Sequence, residues 1–234
     1  MATSSSVLLP PGGQHILFVL AHPDDADFIC GGTVACLAEE GREIHYLLVT
    51  RGDNGTNDPA MTPTHLTTIR EQEQRHAAEL LGVQTVTFLE GYLDGEVEAT
   101  LALRRDIALI VRQWRPDVVF TFDPWKRYDM HPDHRAVGIC TQDALVNAGA
   151  RNFPEQFRNG ITPHSVKHIY YFSTDQPNHW VDTSHVIEKK IAAMRCHESQ
   201  MSGFNPDEYA RRKGREAGMA HKYKLAEAFH HDVI

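Results

Sequence analysis

Basic residues are in short supply. Lysine and arginine number 23 against 31 acidic residues, a formal charge of −8 with histidine neutral. A general nucleic-acid binder needs a basic face to displace phosphate counterions, so that class is excluded. Long apolar runs are missing as well; none approaches the roughly 18 to 20 residues of a membrane span. The four cysteines, Cys30, Cys36, Cys140 and Cys196, form no CxxC pair. They read as small buried thiols of a reducing cytoplasm, not as disulfides or thiolate zinc ligands. The G-x-G-x-x-G fingerprint of dinucleotide sites and the G-x-S-x-G elbow of serine hydrolases are absent too. The opening MATSSSVLLPPGGQ has neither a basic region nor a long apolar stretch. It reads as a flexible tail over residues 1–14, not as a signal peptide.

What is present fits one ordinary domain. A chain of 234 residues supports one substantial core and is short for two, and 41% hydrophobic content is too apolar for disorder. Apolar runs at 15–21 (HILFVLA), 43–50 (EIHYLLVT), 85–89 (TVTFL), 117–122 (DVVFTF) and 167–172 (KHIYYF) predict five strands. Helical stretches are predicted at 33–41, 65–81, 101–114, 135–147 and 184–197, with Gly82 and Pro116 as stop signals. Strands alternating with helices imply βαβ units. The expected fold is therefore α/β: a single-domain, Rossmann-like three-layer arrangement around a mostly parallel sheet, spanning residues 15–234. Ligands in such folds bind beyond the carboxyl ends of the strands. The chemically dense segments fall there: HPDD after the first strand, RGDNGT after the second and HPDH after the fourth.

Histidine is abundant, at 15 residues, and two tetrapeptides share one form: His22-Pro23-Asp24-Asp25 and His131-Pro132-Asp133-His134. Proline in second place favours a tight turn, which brings its end residues within about 7 Å. His22 and Asp25 are thus placed to grip one cation, while Asp24 points elsewhere. A histidine of the second motif completes two histidines and a carboxylate with a position open to water, the layout of a catalytic zinc site. Spacing does not choose between His131 and His134. Asp133 has two readings: it holds the His131 ring, or it caps the helix that follows.

Five segments carry a resemblance: AHPDDADFICGG (21–32), TRGDNGT (50–56), IREQEQRHAAELLG (69–82), RPDVVFTFDPWKRYDMHPDHRAVG (115–138) and HESQ (197–200). In these the sequence resembles the PIG-L/LmbE family of zinc-dependent N-deacetylases. The resemblance implies one zinc ion per chain held by His22, Asp25 and His134, with Asp24 as general base and His131 stabilising the oxyanion. It implies a metal-dependent amidohydrolase that removes acetyl from an N-acetylglucosamine-type sugar conjugate, giving a free amine and acetate. Many members have Glu directly after AHPDD, where this chain has Ala26 and then Asp27. The WKRYDM loop varies widely between members, so substrate identity does not transfer through it.

Around the motifs, Arg51, Asp53, Asn54 and Arg70 are candidates for holding substrate hydroxyls, and Asp53 resembles an acidic position of sugar-binding members. Trp125, Lys126, Arg127 and Tyr128 precede HPDH as a candidate rim. Gly31 and Gly32 read as close packing of a helix on a strand. His45, His76 and His197 read as satisfied or surface histidines. The basic RRKGR run (211–215) reads as a solvated face, or as a reach toward an anionic group. Two other functions compete. His22-x-Asp24 with a distant histidine matches the facial triad of Fe(II) oxygenases, although those are β barrels. A non-catalytic metal- or sugar-binding module on the same fold is the second. Expected partners are a small N-acetylated sugar conjugate and, because many relatives assemble, a second copy of the chain.

Overall fold

The computed structural model describes Leu9 and residues 13–234. Strands form where the apolar runs fall: β1 (His15–Leu20), β2 (Glu43–Leu48), β3 (Thr85–Phe88), β4 (Val118–Phe122) and β5 (His168–Phe172). The helices are α1 (Asp25–Glu39), α2 (Pro63–Leu81), α3 (Leu101–Trp114), α4 (Pro132–Gly149), α5 (Ile187–Arg195) and α6 (Pro206–Gly218). Two further strands, β6 (His179–Asp182) and β7 (Ala226–Val233), were not predicted, nor was α6. β6 has only four residues, and β7 mixes acids and histidines (AEAFHHDV) into its apolar positions, so neither stands out as a hydrophobic run.

All seven strands join one sheet in the order β3-β2-β1-β4-β5-β7-β6. The first five are parallel, and β7 runs antiparallel to both β5 and β6. The fold class is the expected one. β1 and β4 are buried along nearly their whole length, as strands covered on both faces must be. Phe18, Phe120 and Tyr170 lie in register across β1, β4 and β5 and stack with centroids 4.5 and 4.7 Å apart. Helices α3 and α4 pack together as one group, while α1, α2, α5 and α6 form another. The strand order reverses between β1 and β4, which brings their carboxyl ends side by side at the switch point of the sheet.

Three helices begin earlier than predicted, α2 by two residues, and the differences at α1 and α4 concern the motifs. α1 starts at Asp25 and α4 at Pro132, so HPDD and HPDH are not loops ahead of helices but the helix starts themselves. α1 is then broken at Cys30 (φ −134°, ψ 21°). The amides of Gly32 and Thr33 beyond the break donate to Glu227 of β7, at 3.0 and 2.6 Å. The same carboxylate accepts from Lys190 of α5 at 2.6 Å, a buried ion pair. Gly32 fits this junction because a Cβ there would lie 2.7 Å from the Thr183 side chain.

The tail expected over residues 1–14 falls largely outside the described residues. Leu9 is buried, Gly13 accepts from Arg42, and the Gln14 amide donates to Asp117. Cys30, Cys36 and Cys140 are buried free thiols and Cys196 is half-buried. Among the described residues, no helix is long and apolar enough to cross a membrane.

Candidate metal centre and active site

The turn after β1 is wound around one carboxylate. The amides of Ala21 and His22 both donate to Asp25 Oδ2, at 3.0 and 2.7 Å. Asp25 Oδ1 faces the second motif, 3.3 Å from His134 Nε2. His131 caps α4 and His134 sits in its first turn, so their rings stack at 4.4 Å. His134 also stacks on Phe122 at the end of β4, at 4.0 Å. As a result His22, His131 and His134 each offer a ring nitrogen within 4.8 Å of the others. His22 and His134 thus converge, as the two-motif reading requires.

Asp133 makes neither of the contacts expected of it. Its Oδ2 accepts from His22 Nε2 at 2.9 Å, not from His131, and it caps nothing. It also accepts the amides of Gly95 and Val97 (2.8 and 3.2 Å), which pin the segment ahead of α3. Asp94 stands on the same His22 nitrogen at 3.2 Å. His22, Asp94 and Asp133 form a second cluster, but their oxygens are occupied by His22, Arg70 and backbone amides. With Nε2 engaged there, His22 presents Nδ1 toward Asp25, 3.7 Å away.

Burial works against a charged His22, yet hydrogen bonds to Asp133, Asp25 and Asp94 outweigh it and push its pKa up to about 12. Asp25 is held well below the usual carboxylate range, because His134 and His22 override its own burial. A place that binds a proton so strongly has the negative potential a divalent cation seeks. His131 Nδ1 is buried with no partner among the described residues. Imidazoles and one free carboxylate oxygen are the donors zinc prefers. The residues fit a metal.

Asp24 is shaped by a separate set of contacts. Its backbone lies at φ 98°, a region that costs a non-glycine residue about 1–3 kcal/mol. Its amide donates to Gln74 Oε1 at 2.8 Å, and Gln74 Nε2 donates to Asp27 at 2.9 Å. Asp27 also receives His197 Nε2 at 2.8 Å, both side chains being fully buried. Burial raises Asp24 to about 6; the Arg70 guanidinium 3.2 Å away restrains the rise and Asp25 adds to it. His131 is shifted the other way, held below its ordinary value by burial and by its histidine neighbours. It is therefore a neutral ring with an N–H to donate.

The PIG-L family model, described as GlcNAc-PI de-N-acetylase, matches residues 17–145, which include both motifs. A diacetylchitobiose deacetylase from Thermococcus kodakarensis is 38% identical over 80% of this chain and 70% of its own length. The chain belongs to the PIG-L family. A probable N-acetyl-alpha-D-glucosaminyl L-malate deacetylase from Bacillus anthracis is 29% identical over 81% of the chain and 82% of its own. The solved N,N'-diacetylchitobiose deacetylase from Pyrococcus horikoshii superposes with a TM-score of 0.88 at 32% identity, covering 94% of this chain and 84% of that one. A 4-carboxy-2-hydroxymuconate hydratase from Pseudomonas putida shares the fold alone (TM-score 0.75, 24% identity, 94% and 95% coverage). The PIG-L fold by itself therefore does not select a chemistry.

Within this PIG-L chain the expected rim residues divide. Arg70 does line the cleft of about 460 Å³, but its buried guanidinium is committed to Gly52, Pro23, Asp24 and Asp94. These bonds fix Asp24 and Asp94, and its Nε has no hydrogen-bond partner among the described residues. Arg51 pairs with Glu71 (2.9 Å) and Glu90, and Asp53 accepts the Asp94 amide; neither lines the cleft. Tyr128 is 94% exposed and does not line it. Their neighbours Asn54 and Gly55 do line it, with Gln200 of the late HESQ segment. Gly52, at φ 69°, has to be glycine: a Cβ there would run into the Arg70 guanidinium. Asp94, Gln74 and Asp27 had no local signal, since each acts through a residue distant in the chain. His197 is fully buried, its Nε2 on Asp27 and its Nδ1 without a hydrogen-bond partner among the described residues.

Proposed function

We propose that the chain is a zinc-dependent deacetylase that removes acetyl from an N-acetylglucosamine-type sugar conjugate. The observation that carries this reading is the meeting of His22, Asp25, His131 and His134 beside Asp24 at the switch point of a PIG-L fold. His22, Asp25 and His134 would hold the metal. Zinc in that place supplies a Lewis acid that lowers the pKa of water to about 7 and polarises an amide carbonyl. Asp24, ionised above pH 6 and fixed by Gln74 and Arg70, takes the proton of the attacking water. It then returns that proton to the departing amine, so the products are acetate and a free amine. His131, neutral, donates its N–H to the oxyanion, a contact typically worth about 2.7–4 kcal/mol of barrier. Asp133 keeps His22 in the tautomer that leaves Nδ1 to the metal.

The relatives act on diacetylchitobiose and on N-acetylglucosaminyl malate, and this chain takes a substrate of that class. Partners are the sugar conjugate and a second copy of the chain, in the cytoplasm, without nucleic acid. The oxygenase alternative fares poorly: the sheet is flanked by helices, and Asp24 bonds Arg70 instead of joining the histidine cluster. The test is acetate release by the zinc-loaded chain from N,N'-diacetylchitobiose and other N-acetylglucosamine conjugates. No release from any of them, by a protein that retains zinc, would leave the binding-module reading in its place.

A further inference from the structure

A second cavity, of about 320 Å³, shares no lining residue with the metal-site cleft. Lys126 from the loop after β4, Lys190 of α5 and Lys213 of α6 all line it, in a chain that carries an excess of acid. One carboxylate, Glu227, faces them, and its charge is already spread over Lys190, the Gly32 and Thr33 amides and the Thr33 hydroxyl. Lys190 is nearly fully buried and uses two of its three ammonium protons, on Glu227 and on the Ile29 carbonyl (3.2 Å). Lys126 is half-buried and has no acidic partner among the described residues. Lys213 shares Glu216 with Arg212 at the surface.

This divides the basic run at 211–215. Arg211 pairs with Asp207 and Glu188, and Arg212 with Glu216, as a solvated face does. Of the charged residues in the run only Lys213 lines the cavity, and its ammonium also pairs with Glu216 at 3.3 Å. Ser173, Thr174 and Tyr209, each with a hydroxyl, also line the cavity. Unbalanced ammonium charge with hydroxyl donors suits a tetrahedral dianion. Three lysines against one lining carboxylate match a doubly charged phosphate better than a singly charged carboxylate. The volume is that of a small-ligand pocket and admits more than a bare ion.

We propose that this cavity binds a phosphate group, free or carried on a monosaccharide-sized body, with Lys126, Lys190 and Lys213 as its cationic partners. The test is calorimetric titration of the zinc-loaded full chain with glucose 6-phosphate, inorganic phosphate, glucuronate and glucose. The titration is repeated on the Lys126→Ala, Lys213→Ala double variant, which leaves the buried Lys190–Glu227 pair intact. A melting temperature like that of the parent, without ligand, certifies that the variant is folded. The expected result is binding of glucose 6-phosphate, none of glucose, and about tenfold or greater weakening in the variant. Inorganic phosphate binding as tightly as the ester would support the site and assign it to free phosphate. Absence of phosphate binding, binding untouched by the double exchange, or glucuronate binding as tightly as the ester would each overturn the proposal.

Discussion

Asp24 and Asp25 are adjacent and chemically identical, yet their surroundings drive them apart. Asp25 is tied to two backbone amides and two histidines and stays ionised; Asp24 is raised to about 6 and poised to exchange a proton. The Asp24→Asn variant should therefore keep its zinc, measured by mass spectrometry of the desalted protein, and lose about 10²–10⁴-fold in turnover. His134→Ala should lose both; normal turnover in Asp24→Asn would remove it as the base. Asp133→Asn tests the partner of His22. Zinc affinity measured against a competing chelator should fall by about 10–100-fold, and an unchanged affinity would make Asp133 only a clamp on residues 95 and 97. His22, Asp24, Asp25, His131 and His134 were legible because each motif is four residues of local turn chemistry. The partner of Asp133 was not, because that hydrogen bond joins residues 111 positions apart.

Among the elements, β2 carries a titratable group with no part in the chemistry. His45 is buried between β3 and the end of α3, its Nε2 on the Thr87 hydroxyl (2.8 Å) and its ring edge-on to Trp114 (4.8 Å). Burial lowers its pKa from 6.5 to about 4. Between those values the unfolded chain takes up a proton that the folded chain refuses, so stability falls as the pH falls through this window. By pH 4 the loss from this group is on the order of 3 kcal/mol. Urea unfolding at pH 7 and pH 4 should show the parent losing more than His45→Gln by that amount; parallel losses would mean that His45 stays charged when folded. The central strands and α3 were read at nearly their true bounds, since uninterrupted apolar runs and a Pro116 stop are strong signals. β7 was missed because its polar residues have tertiary uses: Glu227 anchors the break in α1, and His231 meets His168 across the strand pair at 3.1 Å.

For the molecule as a whole, the candidate metal site would act as a long-range cross-link. One half of it follows β1 and the other follows β4, and only the folded sheet sets them side by side. A cation bound there favours the native state alone, by about 2.7 kcal/mol at a hundredfold excess over Kd. For a chain of this length that corresponds to roughly 5–10 °C in melting temperature. Scanning calorimetry with zinc and after chelation should show this gap, and His134→Ala should close it. Equal melting temperatures in the parent would mean that the histidine cluster holds no ion in solution.

The sequence by itself determined the α/β class, the two His-Pro-Asp segments at the rim of the sheet, and their acid–imidazole chemistry. Each of these is settled within a few residues, by apolar periodicity or by the fixed geometry of a His-Pro-Asp turn. The tertiary structure alone decided which carboxylate steadies which imidazole, that Arg70 bonds Asp24 and Asp94, and that three lysines share a cavity. Those outcomes depend on which strands become neighbours, and pairing β1 with β4 is a property of the whole sheet that no local stretch encodes.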